Sequence, residues 1–322
     1  MHIAAIREMI QTDLDASDRR ITEQLNSGID LINQLASHLI QSGGKRLRPM
    51  LVLLGAHAFG YKGKIHLDLA AIMELIHTAT LLHDDVVDTS NMRRGDQTAN
   101  ALWGNGASVL VGDYLYSRAF QMMVGIGDLT VIKALAKATN TIVEGEVLQL
   151  TNRNNPDTTQ ARYMDVIRYK TGTLFETAAQ LGAVLCKRPE NQIKAMAHYG
   201  LWLGIAFQLV DDVLDYSAQP DDLGKNIGDD LAEGKPTLPL IYALAHGSES
   251  QVQFIRAAIE QGSRDHLDEI LKAIESTGAI AYTVDLARQA AEQAIAYLSD
   301  IPDTPYRDAL YALARFSVDR NH

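Results

Sequence analysis

Residues 65–90 read IHLDLAAIMELIHTATLLHDDVVDTS, an apolar stretch that runs into a cluster of aspartates. From Ile65 to Leu82 apolar side chains occupy nearly every face of a helical wheel, and such a helix is stable at the centre of a larger bundle. The same arrangement recurs at 189–216, where Leu201, Leu203, Ile205, Ala206, Phe207 and Leu209 lead into Asp211-Asp212-Val213-Leu214-Asp215. The segment 107–126 is nearly as apolar. Amphipathic segments surround these three. Ile3, Ile6, Ile10, Leu14, Ile21 and Leu25 recur mostly at three- and four-residue intervals and predict one face over 3–25. Helical spacing also predicts 28–41, 50–59, 128–151, 158–186, 237–247, 249–261, 263–277, 278–300 and 304–319, whereas alternating strand-like runs are scarce. The breaks are short, as between neighbouring helices, except for the long polar loop 217–235 (SAQPDDLGKNIGDDLAEGK). The expectation is an all-α protein, a single domain over 1–322 built as one large helical bundle around a deep central cavity. Loop 217–235 is expected to close over that cavity.

The 322 residues carry 29 Lys+Arg and 40 Asp+Glu, a formal net charge of −11, which argues against a general nucleic-acid or anionic-membrane binder. Any polyanionic ligand must be held locally. The lone Cys186 excludes an intramolecular disulfide and a Cys-based structural zinc site, and fits a reducing, cytoplasmic setting. Arg7, Glu8, Asp13 and Asp15 interrupt any leader-like apolar run. Uncharged stretches such as 97–112 contain Gln, Thr and Asn and fall short of the roughly 18 apolar residues of a membrane span. No transmembrane segment is expected.

The acidic excess has a pattern. Asp84-Asp85-Val86-Val87-Asp88 repeats the spacing of Asp211 to Asp215, and at about 100° per residue the first and fifth aspartates of each set lie about 40° apart on a helix. Each helix presents an acidic claw at the end of an apolar rod. Clustered carboxylates there repel one another unless a cation neutralises them, and an all-oxygen donor set selects Mg²⁺. A single DDxxD is as easily a solvated helix end; two copies on apolar helices point to a site. Basic residues gather nearby: Lys45, Arg46 and Arg48 in a glycine-opened turn, Arg93-Arg94 after the first claw, then Lys170-Thr171, Lys225 and Lys235. Together they describe a cavity for two polyphosphates, one held through metal and one directly by cations.

Other motifs fail on spacing. Gly228 to Lys235 misses the P-loop register and is followed by Pro236. Glu74 and His77 form an E-x-x-H with no second copy, and Gly104-Asn105-Gly106 lacks a third glycine. His83-Asp84 suits a His-Asp metal phosphohydrolase, but that reading leaves the second claw unexplained.

Taken together, these motifs resemble the trans-prenyl (polyprenyl) diphosphate synthase family: GGKRLRP at 43–49, LLHDDVVD at 81–88 followed by RRG at 93–95, KTG at 170–172, FQLVDDVLD at 207–215 and GKNIGDDLAEGKPTLP at 224–239. The similarity runs essentially end to end. GNGASVLVGDYLYSRAFQMM and EGEVLQL are nearest in wording to the bacterial branch that makes octaprenyl chains for ubiquinone. The resemblance implies the isoprenoid-synthase fold, two or three Mg²⁺ ions, isopentenyl diphosphate and an allylic diphosphate such as farnesyl diphosphate as substrates, a homodimer, and membrane contact only as product leaves. It implies that Asp84, Asp88, Asp211 and Asp215 coordinate metal, with Asp85 and Asp212 in support. Lys45, Arg48, His77 and Arg94 match the isopentenyl diphosphate side; Arg93, Lys170, Thr171, Gln208, Lys225 and Lys235 match the allylic side. His77 lies about 20° from the direction of Asp84 on one helix and so faces the claw.

The reaction so implied needs no protein nucleophile: the allylic diphosphate departs, the double bond of isopentenyl diphosphate attacks the carbocation, and a proton is lost to the leaving diphosphate. Ala79 and Thr80, five and four residues before Asp84, are small where short-chain members carry aromatics, which predicts a long product. Phe120, Met122 and Met123 are the expected floor of the chain-length pocket. Hepta-, nona- or decaprenyl products, a metal phosphohydrolase and a non-catalytic prenyltransferase subunit are the alternatives.

Overall fold

The computed structural model describes residues 1–41, 44–93, 95–217 and 227–319. Helices account for nearly all of the regular structure. The principal ones are α1 (Gln11–Leu25), α2 (Leu47–Ala58), α3 (Ile65–Val87), α4 (Asn105–Ile126), α5 (Leu129–Asn152), α6 (Gln160–Ile167), α7 (Thr173–Leu185), α8 (Glu190–Ser217), α9 (Ala279–Ala296) and α10 (Pro305–Val318). A two-stranded antiparallel ribbon, β1 (Met92–Arg93) and β2 (Asp96–Gln97), follows α3, with Met92 opposite Gln97 and Arg93 opposite Asp96.

The apolar rods lie inside, as their composition requires. α2, α3, α7 and α8 pack on one another, with α4, α5, α9 and α10 around them. Leu51, Leu53, Leu54, Leu69, Ile72, Met73 and Phe175 are wholly buried. Each such side chain contributes about 1.5–3 kcal/mol by leaving water. The tightest approaches rest on glycine: a methyl on Gly182 of α7 would strike the backbone of Gly55 and Ala56 in α2. α3 is long and apolar enough to cross a membrane by length and composition, but 67% of that window is buried within the bundle.

Three departures from the expected elements bear on the site. The face predicted over 3–25 breaks at Ile10 (φ −124°, ψ 15°), so the chain enters α1 from a separate short helix, Ile3–Met9. The rod predicted over 158–186 is interrupted by a π turn, Arg168–Gly172, which widens the helix at Lys170 and Thr171. Such insertions bulge one residue outwards and recur at functional sites. The ribbon β1–β2 was not expected.

Candidate active site

The ends of α3 and α8 open on one cavity of about 800 Å³, lined by Asp84, Asp88, Asp211, Asp212 and Asp215. Lys45, Arg48, His77, Arg93, Lys170, Thr171, Gln208 and Lys235 line the same space. Arg94 and Lys225 lie outside the described residues, as does 218–226 of the polar loop.

At the first claw the aspartates already hold cations. Lys235 Nζ donates to Asp88 at 2.7 Å and to Glu233 at 2.5 Å, and Arg153 stands 3.8 Å from Asp88. Burial pushes the Asp88 carboxyl up, but Lys235 and Lys170 outweigh it and hold it below the usual range. Lys170 Nζ stands 3.5 Å from Asp84 and donates to Glu146 at 2.7 Å and Gln149 at 2.8 Å. Burial next to Asp84 lifts Glu146 to about 7. Asp85 turns inwards and accepts two N–H bonds from Arg93, at 2.9 and 2.6 Å. The ribbon explains this pair, because it reverses the chain straight after α3 and brings Arg93 back onto the last helical turn. Asn100 Nδ2 holds that reversal by donating to the carbonyls of Asp85 and Ser90.

The second claw is drier. Asp212 is 1% exposed and accepts from Tyr163 Oη at 2.5 Å and Gln208 Nε2 at 2.9 Å. Burial, reinforced by Asp230, pushes its carboxyl up to about 8. Thr171 donates to Gln208 Oε1 at 3.0 Å, so the π turn is linked to the claw through one amide. The Asp215 carboxylate accepts from the backbone N–H groups of Asp229 (3.2 Å) and Asp230 (3.3 Å). Opposite, Arg48 lies 3.1 Å from His77 Nε2 and over the Phe175 ring, 4.5 Å from its centroid. The third cation of that turn, Arg46, adopts left-handed φ (50°) and is drawn off to Glu74 and Asp18.

Thr80 lines the cavity, whereas Ala79 and Met123 are wholly buried in the core behind it. Phe120 is 42% exposed on α4 and forms no enclosed floor within this chain. His83 turns away from the claws, 3.2 Å from the Val109 carbonyl, 3.4 Å from Asp113 and stacked on Tyr116, which removes the geometric basis of the phosphohydrolase reading. Reading the sequence assigned no role to Glu146, Gln149, Arg153, Tyr163 or Glu233. Glu146 and Gln149 stand at i and i+3, and Tyr163 precedes Lys170 by two helical turns, spacings that set each pair on one face.

Carboxylate oxygens from two helices converging on a cation-rich cavity fit hard divalent ions, with Asp84, Asp88, Asp211 and Asp215 as the group that would hold them. A helical bundle with paired aspartate ends around such a cavity defines a class of protein that binds two phosphorylated ligands through metal and cations together. The chain belongs to the polyprenyl synthetase family, whose model matches residues 29–276; the family uses divalent metal with isopentenyl and allylic diphosphates. It is 52% identical over 322 residues to octaprenyl diphosphate synthase of Escherichia coli (strain K12), covering 100% of both chains. A crystal structure of a polyprenyl synthase from Caulobacter crescentus CB15, complexed with calcium and isoprenyl diphosphate, superposes with a TM-score of 0.96 at 41% identity, covering 100% of this chain and 98% of that one. A decaprenyl diphosphate synthase from Rhodobacter capsulatus gives 0.94 at 43% identity, covering 100% of both.

Proposed function

We propose that this chain extends farnesyl diphosphate to octaprenyl diphosphate for a ubiquinone side chain, as a cytoplasmic homodimer of single-domain subunits. The chain is a trans-polyprenyl diphosphate synthase, condensing isopentenyl diphosphate with an allylic diphosphate. One observation carries the reading: two intact aspartate claws face a single cavity that Lys45, Arg48, Arg93, Lys170 and Lys235 also line. The eight-unit length rests on the octaprenyl relative being 52% identical, against 43% for the decaprenyl one. The main apolar core runs from Ile6 to Ala314, which supports one domain.

Two or three Mg²⁺ ions held by Asp84, Asp88, Asp211 and Asp215 would supply the charge that lets the allylic diphosphate depart. Lys170 and Lys235, now paired with Asp84, Glu146 and Asp88, are placed to turn onto phosphate oxygens as the substrate arrives. Arg93 fixes Asp85, while Tyr163 and Gln208 fix Asp212, so the middle aspartate of each claw is held in place beside the carboxylates that would take the metal. Lys45, Arg48 and His77 hold the second diphosphate and present its double bond to the allylic carbon. The C–O bond breaks with its electrons going to diphosphate, the double bond supplies the pair for the new C–C bond, and the released diphosphate takes the proton. Ile142, Leu174 and Phe207 wall the cavity and keep water from the cation.

The test is incubation with Mg²⁺, radiolabelled isopentenyl diphosphate and farnesyl diphosphate, followed by sizing of the extracted lipid. An eight-unit chain is expected. Another length overturns the octaprenyl assignment, and release of inorganic phosphate without a prenyl product overturns the whole reading.

A further inference from the structure

Away from the diphosphate cavity, three side chains from three helices converge on one point. Asp13 comes from α1, His57 from the last turn of α2 and His66 from the first turn of α3. His57 Nε2 lies 2.6 Å and His66 Nε2 3.1 Å from the same oxygen, Asp13 Oδ2, and the three ligand atoms all lie within 4.8 Å of one another. His66 is 5% exposed and its Nδ1 has no hydrogen-bond partner. Tyr306 stacks on the His57 ring at 4.8 Å and Tyr61 meets the His66 ring edge-on at 5.4 Å, so both imidazole planes are set by packing.

We propose that Asp13, His57 and His66 form a site for a transition-metal ion of the Zn²⁺ type, which clamps α1 to the core helices α2 and α3. Two imidazoles aimed at one carboxylate oxygen, each from a different helix, are more than a hydrogen-bonded structure requires, since Oδ1 would relieve the crowding. Two nitrogens and one oxygen select Zn²⁺ or Co²⁺ over the hard Mg²⁺ suited to the claws. Metal–ligand distances of about 2.0–2.2 Å need the Asp13–His57 pair to open by less than about 1 Å. With the His57 side chain 24% exposed, solvent reaches the cluster and can supply the fourth ligand. The site lies at the opposite end of α3 from Asp84, about 27 Å away at 1.5 Å per residue, so it is separate from the reaction centre.

Protein stripped with chelator and returned to saturating Mg²⁺ is titrated with Co²⁺. One equivalent is expected to produce the intense visible band of four-coordinate Co²⁺, to be displaced by Zn²⁺, and to persist in the claw double variant Asp84→Asn/Asp211→Asn. Asp13→Asn and His57→Asn each lower the Co²⁺ affinity by about tenfold or more, since each removes a ligand or its charge. Zn²⁺ raises the thermal midpoint of the wild type and leaves that of these variants unchanged. A weak six-coordinate spectrum, a band lost with the claws, or a band retained in His57→Asn overturns the proposal. If the histidine variant does not fold, the claw variant decides alone: with no stoichiometric four-coordinate band the site does not exist.

Discussion

Asp212 sits where solvent cannot stabilise its charge, and two neutral donors, Tyr163 and Gln208, hold it in place. Tyr163→Phe keeps the ring and removes only the hydroxyl. A lost hydrogen bond to a charged group costs about 1.5–3 kcal/mol, so kcat/KM should fall about 10- to 100-fold, with the Mg²⁺ dependence moved to higher concentration. Steady-state kinetics over a Mg²⁺ series check this; wild-type behaviour would remove Tyr163 from the site. Glu146 and Asp212 also make metal-free stability depend on pH. Burial raises the first to about 7 and the second to about 8, from ordinary values of 4.5 and 3.8. Because the folded values exceed the unfolded ones, their contribution is complete below about pH 4 and is lost as pH rises towards 8. Urea midpoints measured in chelator should therefore decline between about pH 5 and pH 8, and Mg²⁺ should flatten the slope by stabilising the ionised claws. A flat profile in chelator would mean that neither carboxyl keeps its proton in the folded protein.

At the scale of the element, α3 carries both ends of the chemistry: Asp84 and Asp88 at its mouth, and one turn below them Thr80 on the cavity wall with Ala79 wholly buried. Ala79→Tyr forces a ring from the core behind the cavity against the wall at Thr80, narrows the space for the growing chain and should give shorter products, visible when extracted lipids are sized by chromatography. It should also cost about 1–3 kcal/mol of stability, because no space waits for the ring. Full-length product from this variant would show that the chain takes another path. α3 and α8 were legible in the sequence because an all-round apolar wheel closed by DDxxD fits little except a buried helix entering a charged site. The break at Ile10 and the π turn at Arg168–Gly172 were not legible, since apolar periodicity averages over one misplaced residue. The packing behind the π turn is tertiary: a methyl on Gly145 of α5 would stand 2.7 Å from the Lys170 nitrogen, so only glycine lets α5 approach that turn. The clasp of Tyr163 on Asp212 joins residues 49 apart in sequence, and no local pattern reports such a distance. That Lys45, Arg48, His77 and Lys170 line the cavity was legible in part: Lys45 and Arg48 stand in a charge-dense turn and His77 shares a helical direction with Asp84, while Lys170 is singled out through the family motif KTG; Glu146 and Gln149 carry no such signal, because one carboxylate and one amide on an amphipathic helix look like ordinary solvated side chains.

For the whole molecule, the exposed apolar surface is uneven. On α4, Leu110 is 70% and Val124 69% exposed; on α5, Leu129 is 69%, Val143 55%, Val147 56% and Leu150 55% exposed. Val143, Val147 and Leu150 follow the i, i+4, i+7 spacing of one helical stripe, and Leu110 and Val124 lie two heptads apart on another. A monomer seldom leaves so much apolar surface in water, whereas a second copy packed across α4 and α5 would cover it. The position matters for catalysis because α4 packs directly on α3 and α5 carries Glu146 and Gln149, so a partner on this face braces the first claw and the Lys170 contacts from behind. Leu110→Glu combined with Val147→Glu places like charges on both sides of a two-fold interface, where each loses water without gaining a partner. Sedimentation at micromolar concentration should then show a dimer for the wild type and a monomer for the double variant, and kcat of the double variant should fall about tenfold or more while circular dichroism stays helical. A double variant that remains dimeric and fully active would place the interface elsewhere, and a wild-type monomer would leave this apolar face without a structural reason.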